Sequence, residues 1–337
     1  MFDTRLGPKT SGLRWLVFAL GALSLVGCLQ ESDPTSSGTE IRDVRPNTGA
    51  PCSARHFTVA MTGNQFDDDP TLVRFEPDLR RCQGATIDDM DWPNIARVAG
   101  LSDGSEVIGR EGHVARILGT RIQWKAEHRG STLDMAEVVS GGQTLVAVLV
   151  GGFNSSFGDR IELRSAEDGD LVKTFDEGVR SDTMTIASSP NPSHLYLSDG
   201  NDRVYEVLVD LNAESLGGVG LLDVPLVGFR SLNYIEAESA TIAGLSSNGI
   251  FHWSTSTNAF LGPRQCRWSR FVSDVIPEQC DDFEGLAYDS DFSGNRWFTS
   301  CRTDEGRALV RIGLEDDCEV ILAPIENSRV VDMTWTG

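Results

Sequence analysis

Apolar and polar residues alternate in short runs along most of this chain, and the apolar spacing hardly anywhere fits a helix. Runs such as Phe57-Thr58-Val59-Ala60-Met61 and His194-Leu195-Tyr196-Leu197 are separated by Gly, Asn, Asp and Ser. A period of two, broken by turn-forming residues, predicts β-strands and an all-β fold. The runs recur in units. The first strands of successive units start at Asn94, Asp134, Asp182, Ser231, Glu284 and Asp332, at spacings of 40, 48, 49, 53 and 48 residues. Second, third and weaker fourth runs follow each start. Turns such as Asp199-Gly200-Asn201-Asp202 and Ser247-Asn248-Gly249 between them are hairpin signals.

A four-stranded meander of about 40–50 residues is the sequence form of a propeller blade. Five full units lie between Asn94 and Ile325, and a sixth begins with Val331–Gly337. No apolar run follows that last strand. Its partners are therefore expected at Phe57–Met61, Leu72–Phe75 and a segment near Arg80–Ala85. The pattern predicts a six-bladed β-propeller over residues 52–337, closed by pairing the C-terminal strand with the N-terminal strands. Such closure hides two sheet edges that an open sheet would expose. One β-sandwich, or two small ones, is the competing arrangement.

Before this domain lies a segment of different character. Arg5, Lys9 and Arg14 lead into Trp15–Gly27, an apolar run of 13 residues. A membrane-spanning helix needs roughly 20; the shorter run suits the apolar region of a signal peptide. Leu25-Val26-Gly27-Cys28 resembles the lipobox of bacterial lipoproteins. That resemblance implies removal of residues 1–27, acylation of Cys28 and anchorage in the cell envelope. Leu29, where an Asp would signal otherwise, implies the outer membrane. Residues 28–51 are rich in Ser, Thr, Pro, Gly and charge, and are expected to form a flexible tether.

The formal net charge is −21, and removing residues 1–27, which carry +2, takes it to about −23. An acidic surface argues against nucleic acid and anionic lipid as partners. Its ordinary meaning is solubility, with cation binding a second one. Besides Cys28 there are six cysteines: Cys52, Cys82, Cys266, Cys280, Cys301 and Cys318. An even number in an exported chain suggests disulfides, with about 15 connectivities open. Pairing of neighbours, 52–82, 266–280 and 301–318, is the simplest. The absence of C-x-x-C argues against zinc and thioredoxin-like chemistry.

In a propeller the first strands line a central channel, and their starts gather at one mouth. That would bring Asn94, Asp134, Asp182, Ser231, Glu284 and Asp332 to one level. Crowded carboxylates need compensation. A hard cation such as Ca²⁺, which takes oxygen ligands, is one source. Water in a wide channel, or carboxylates turned to backbone amides and arginines, are others. A shift of one residue would turn each side chain to the other face. Asp282-Phe283-Glu284-Gly285-Leu286-Ala287-Tyr288-Asp289 resembles the opening strand of six-bladed calcium-dependent propellers of the gluconolactonase/regucalcin-like and SdiA-regulated-like groups. The resemblance implies that Glu284 ligates a metal, with Asn94, Asp134, Asp182 and Asp332 as looser matches to the other ligands. It also implies a lactonase or esterase activity.

Other constellations are missing. His56, His113, His128, His194 and His252 are scattered, and no HExxH, G-x-S-x-G or P-loop pattern is present. Asp67-Asp68-Asp69 reads as a solvated turn. Two long loops carry aromatic residues, Phe153 and Phe157 in one, Trp268 and Phe271 in the other. They are candidate partner-binding loops, or are covered by neighbouring strands. Two functions follow from the sequence, beside a purely structural envelope role with no small ligand. One is an envelope-anchored binding module for a protein, peptide or glycan. The other is a calcium-dependent lactonase- or esterase-like hydrolase at the channel mouth.

Overall fold

The computed structural model of the chain describes residues 39–41, 51–62, 71–82, 97–119, 121–152, 158–179, 183–189, 191–199, 203–222, 229–235, 241–246, 249–254, 259–260, 281–289, 296–304, 306–313, 320–325 and 329–336. All of them belong to one compact unit, Ser37–Gly337. Among the described residues the regular structure is entirely strand, as the alternating pattern predicts.

In chain order the strands begin with β1 (Thr39–Ile41), β2 (His56–Thr62) and β3 (Thr71–Phe75). Next come β4 (Arg97–Gly100), β5 (Glu106–Leu118), β6 (Arg121–Ser140), β7 (Gln143–Gly151), β8 (Gly158–Ser165) and β9 (Leu171–Phe175). They continue with β10 (Thr183–Ser188), β11 (His194–Asp199), β12 (Val204–Leu208) and β13 (Gly217–Leu222). A separate meander is formed by β14 (Phe229–Ile235), β15 (Thr241–Ser246), β16 (Gly249–Ser254) and β17 (Ala259–Phe260). Another is formed by β18 (Asp281–Asp289), β19 (Arg296–Thr303), β20 (Gly306–Gly313) and β21 (Val320–Ile325). The last strand is β22 (Arg329–Thr336).

Strands β4 to β13 form one continuous ladder, with β9 as a side branch on β8. Within it, β5 folds back on itself. Arg116 in its C-terminal half donates to the Ser105 hydroxyl just before its start, at 2.8 Å. A straight strand would put those residues roughly 35 Å apart. Gly112, at φ 76°, lies at the bend. β6 likewise serves two neighbours: its first half pairs with β5 and its second with β7. Each long strand thus holds two of the runs read from the sequence.

The last strand finds its partner as expected. β22 pairs antiparallel with β2, from His56↔Thr336 and Phe57↔Trp335 to Thr62↔Arg329, and β3 completes the sheet. The aromatic contacts follow from this register. Phe57 stacks between Phe75, at 5.3 Å, and Phe298 of β19, at 4.4 Å, while Trp335 stacks on Phe298 at 5.9 Å. Each buried aromatic of this size contributes on the order of 1.5–3 kcal/mol. Cys52 and Cys82 form a disulfide that fastens the start of β2 to the chain beyond β3.

The first strands of the meanders touch one another in sequence: β4 against β6, β6 against β10, β10 against β14, β14 against β18, β18 against β22, and β22 against β4. Apolar layers fill the spaces between successive meanders. One, built on Phe57, Phe75, Phe298 and Ile321, lies between the terminal sheet and β19–β21. A second, with Ala60, Leu72, Ile108 and Ile117, joins the terminal sheet to β4 and β5. Others lie between β5 and β7, and between β7 and β11. Backbone approach is close at the β22–β4 seam, where a Cβ on Gly100 would sit 2.1 Å from the Trp335 carbonyl oxygen.

One expectation needs correcting. Residues 28–51 are not extended tether throughout, because Thr39–Ile41 forms β1 and pairs in parallel with Val320–Leu322 of β21. The first unit's leading strand is described from Arg97 onward, and Asn94 lies outside the described residues.

Candidate functional site

Strand register decides which residues share a level at the starts of the first strands. A bulge interrupts β6 just before Asp134, β10 before Thr185, β14 before Ser231 and β18 before Leu286, and β22 carries its irregularity just before Asp332. Arg97 of β4 occupies the same position, because Val98 binds Asp332 as Ile186 binds Asp134. The level is therefore Arg97, Asp134, Thr185, Ser231, Leu286 and Asp332. Asp134, Ser231 and Asp332 fall where the spacing predicts; Glu284 does not. Each bulge adds a residue that the repeat spacing cannot count. Asp182 lies outside the described residues.

The two carboxylates at this level are occupied. Asp332 Oδ2 accepts the Val98 N–H at 3.0 Å and its Oδ1 the Met333 N–H at 2.9 Å. Asp134 Oδ2 accepts the Ile186 N–H at 2.9 Å and the Thr185 hydroxyl, and Oδ1 the Met135 N–H at 2.8 Å. Each aspartate thus joins its own first strand to the next one. Thr334 repeats the pattern by accepting the Gly100 N–H at 2.8 Å, and the Ser188 hydroxyl does so by donating to the Glu137 carbonyl at 2.8 Å.

Arg97 stands within the field of both aspartates and donates through Nε to the Leu133 carbonyl. Burial pushes Asp332 up to about 7; Arg97 opposes this and Asp134 adds to it. Burial raises Asp134 as well, against Arg97 and the bonds from Thr185 and Ile186. The compensation that crowded carboxylates require comes here from a guanidinium and main-chain N–H groups. Among the described residues no three His, Cys, Asp or Glu side chains converge as a metal site would need. Glu284, two residues before Leu286, pairs instead with Arg307 of β20 at 3.2 Å.

A second buried cluster joins the terminal sheet to β5. Glu106 accepts the Thr58 hydroxyl, Arg74 Nε at 2.9 Å and Arg74 Nη2, with His56 Nε2 3.5 Å away. Burial would raise this carboxyl, but Arg74, His56 and Thr58 together hold it down to about 2. Sequence reasoning missed this cluster, although Arg74 and Glu106 sit in or beside apolar runs.

An open concave feature among the described residues is a cleft of about 710 Å³ between the turns around residues 101–105 and 141–144 and the loop 165–170. Glu137, Asp103, Glu167, Asp168 and Asp170 supply five carboxylates to its lining, and Arg116 a guanidinium. Arg116 is paired with Asp103. Glu137 accepts the Ser102 N–H and hydroxyl, at 2.5 and 2.6 Å. Burial works against ionisation of Asp103, yet Ser105 and Arg116 hold it below the usual carboxylate range. The Asp170 N–H and the Ser165 hydroxyl do the same for Asp168. The cleft belongs to turns of two neighbouring meanders, so no single motif announces it.

The remaining predicted positions divide simply. Cys52 and Cys82 are bonded to each other, and Cys301 is also disulfide-bonded. Cys28, Cys266, Cys280, Cys318, Phe153, Phe157, Trp268 and Phe271 lie outside the described residues. The histidines with described side chains do not converge: His194 binds Glu206 at 2.9 Å, and His128 binds Thr132 at 2.8 Å.

No family model matches this sequence, and no curated protein does. The fold, by contrast, is widely shared, with 1004 solved chains similar to it. One is the crystal structure of a protein of unknown function from Bacteroides caccae, with 11% sequence identity and a TM-score of 0.55. The similarity covers 84% of this chain and 99% of that one. At this identity the likeness establishes a shared all-β architecture.

Proposed function

We propose that this chain is a lipid-anchored protein of the cell envelope that presents a six-bladed β-propeller as a binding module. The cycle of six first strands and the pairing of β22 with β2 support the propeller. Leu25-Val26-Gly27-Cys28 supports the anchor, with the outer membrane as its site. The observation that carries the binding reading is the state of the channel carboxylates. Asp134 and Asp332 are committed to strand-to-strand bonds and to Arg97, whereas the cleft beside Glu137 is open. Side-chain oxygens already bonded between strands are poorly placed to hold a ligand as well.

The test uses the full chain, purified from membranes and screened against envelope glycans, peptidoglycan fragments and peptides. Saturable binding by a member of the panel, with a thermal melt unchanged by EDTA, is the expected result. An EDTA-sensitive melt with ester or lactone turnover lost in Glu284→Gln would overturn the reading in favour of the calcium-dependent hydrolase. For the anchor, labelled fatty acid should enter the wild type and not Cys28→Ser.

A further inference from the structure

We infer that the cleft between the 101–105 turn and the 165–170 loop receives an extended basic peptide, with lysine or arginine side chains alternating with apolar ones. This rests on the binding-module reading and names the partner's chemistry. Two independent features point to it. The first is an apolar rim on a sheet edge. Val172 lines the cleft and is 39% exposed, and its neighbour Leu171 is 52% exposed. Both lie on β9, which pairs with β8 and with no other strand among the described residues. Large apolar residues on an unpaired edge leave both the side chains and the main chain short of partners, and natural proteins normally blunt such edges with charge.

The second feature is charge complementarity. Of the five carboxylates lining the cleft, Asp103 alone has a cationic partner among the described residues, Arg116. Glu137, Glu167, Asp168 and Asp170 meet only N–H or hydroxyl donors there, or none. Asp168 stays ionised well into mildly acidic conditions, held by the Asp170 N–H and the Ser165 hydroxyl. A lysine or arginine entering the cleft lays its methylene stem on Val172 and carries its head to these oxygens, the usual way long cationic side chains divide their contacts. An alternating peptide matches an edge strand, whose successive side chains face opposite ways.

The probe is a short fluorescein-labelled peptide of alternating lysine and valine, followed by fluorescence anisotropy with the full chain. A glutamate–valine peptide and spermine serve as comparisons. The triple variant Glu167→Gln/Asp168→Asn/Asp170→Asn should weaken lysine–valine binding about tenfold, and Val172→Ser severalfold. A control triple on exposed carboxylates elsewhere, Glu127→Gln/Glu214→Gln/Asp304→Asn, should leave it unchanged. Equal weakening by the control triple would show attraction to a generally acidic surface and overturn the inference. So would spermine binding as tightly as the peptide, which would mark a polyamine site. If the wider panel yields a ligand indifferent to the cleft variants while the lysine–valine peptide fails to bind, this inference falls and the binding module stands. If nothing binds, both fall.

Discussion

Replacing Glu106 by glutamine should destabilise the protein strongly at neutral pH and much less in acid. Glu106 sits on β5 and receives its donors from β2 and β3, so it ties the sheet of β22, β2 and β3 to the next one. Its carboxyl is held at about 2 against an ordinary 4.5. A difference of that size corresponds to about 3 kcal/mol of stability. The sign follows from a lowered carboxyl. The contribution is complete above about 4.5, falls by roughly half near pH 3, and is gone below about 2. Glutamine keeps the shape but leaves the buried Arg74 guanidinium without a counter-ion, and breaking a buried pair on one side costs about 3–5 kcal/mol. Urea unfolding of wild type and Glu106→Gln at both pH values measures the gap. It should be about 3–5 kcal/mol at pH 7 and smaller by roughly 2 at pH 3. Arg74→Met in a double-mutant cycle should show coupling of about 2 kcal/mol or more. A gap that does not change with pH, or is below about 1 kcal/mol at pH 7, would refute the assignment of Glu106 as an ionised buried clasp.

Asp332 runs the other way. Its folded value is raised to about 7, so the folded state keeps a proton that the unfolded chain has already released above 3.8. Stability from this group therefore falls as pH rises from about 4 to 7. Asp332→Asn should gain on the wild type between pH 5 and pH 8 in urea melts, and parallel curves would contradict this. Breaking the Cys52–Cys82 bridge, with sequence separation 30, should cost about 4 kcal/mol in the chain-entropy account. The Cys52→Ser/Cys82→Ser melt checks it. Gly100→Ala places a methyl group against the Trp335 carbonyl and should cost about 1–3 kcal/mol, read as a lowered midpoint.

How far the sequence foretold this molecule depends on how local each signal was. The pairing of Phe57 with Trp335 was legible because Phe57–Met61 and Val331–Thr336 both alternate cleanly as strands. The level of Asp134 and Asp332 was legible for the same reason of regular spacing. Glu284 was misplaced by a bulge at Gly285, whose φ of 70° no hydropathy pattern reveals. A repeat counted from Asn94 hides Arg97, three residues on. Its neighbours Val98 and Ala99 followed by a glycine were the available clue to a first strand packed tightly against another. The Glu106 clasp draws on residues 56, 58 and 74, and the cleft on turns of separate meanders. Both are products of tertiary arrangement, which a local pattern does not encode.

The short parallel ladder between β1 and β21 has a mechanical consequence. Tension applied from the N-terminal side meets this ladder before it meets Cys52. Three residue pairs hold it, while the next attachment is covalently fastened and runs the length of β2. The ladder should therefore yield first, ahead of the disulfide-fastened sheet. Under load the protein would lengthen by a sacrificial step, leaving the sheet of β22, β2 and β3 intact.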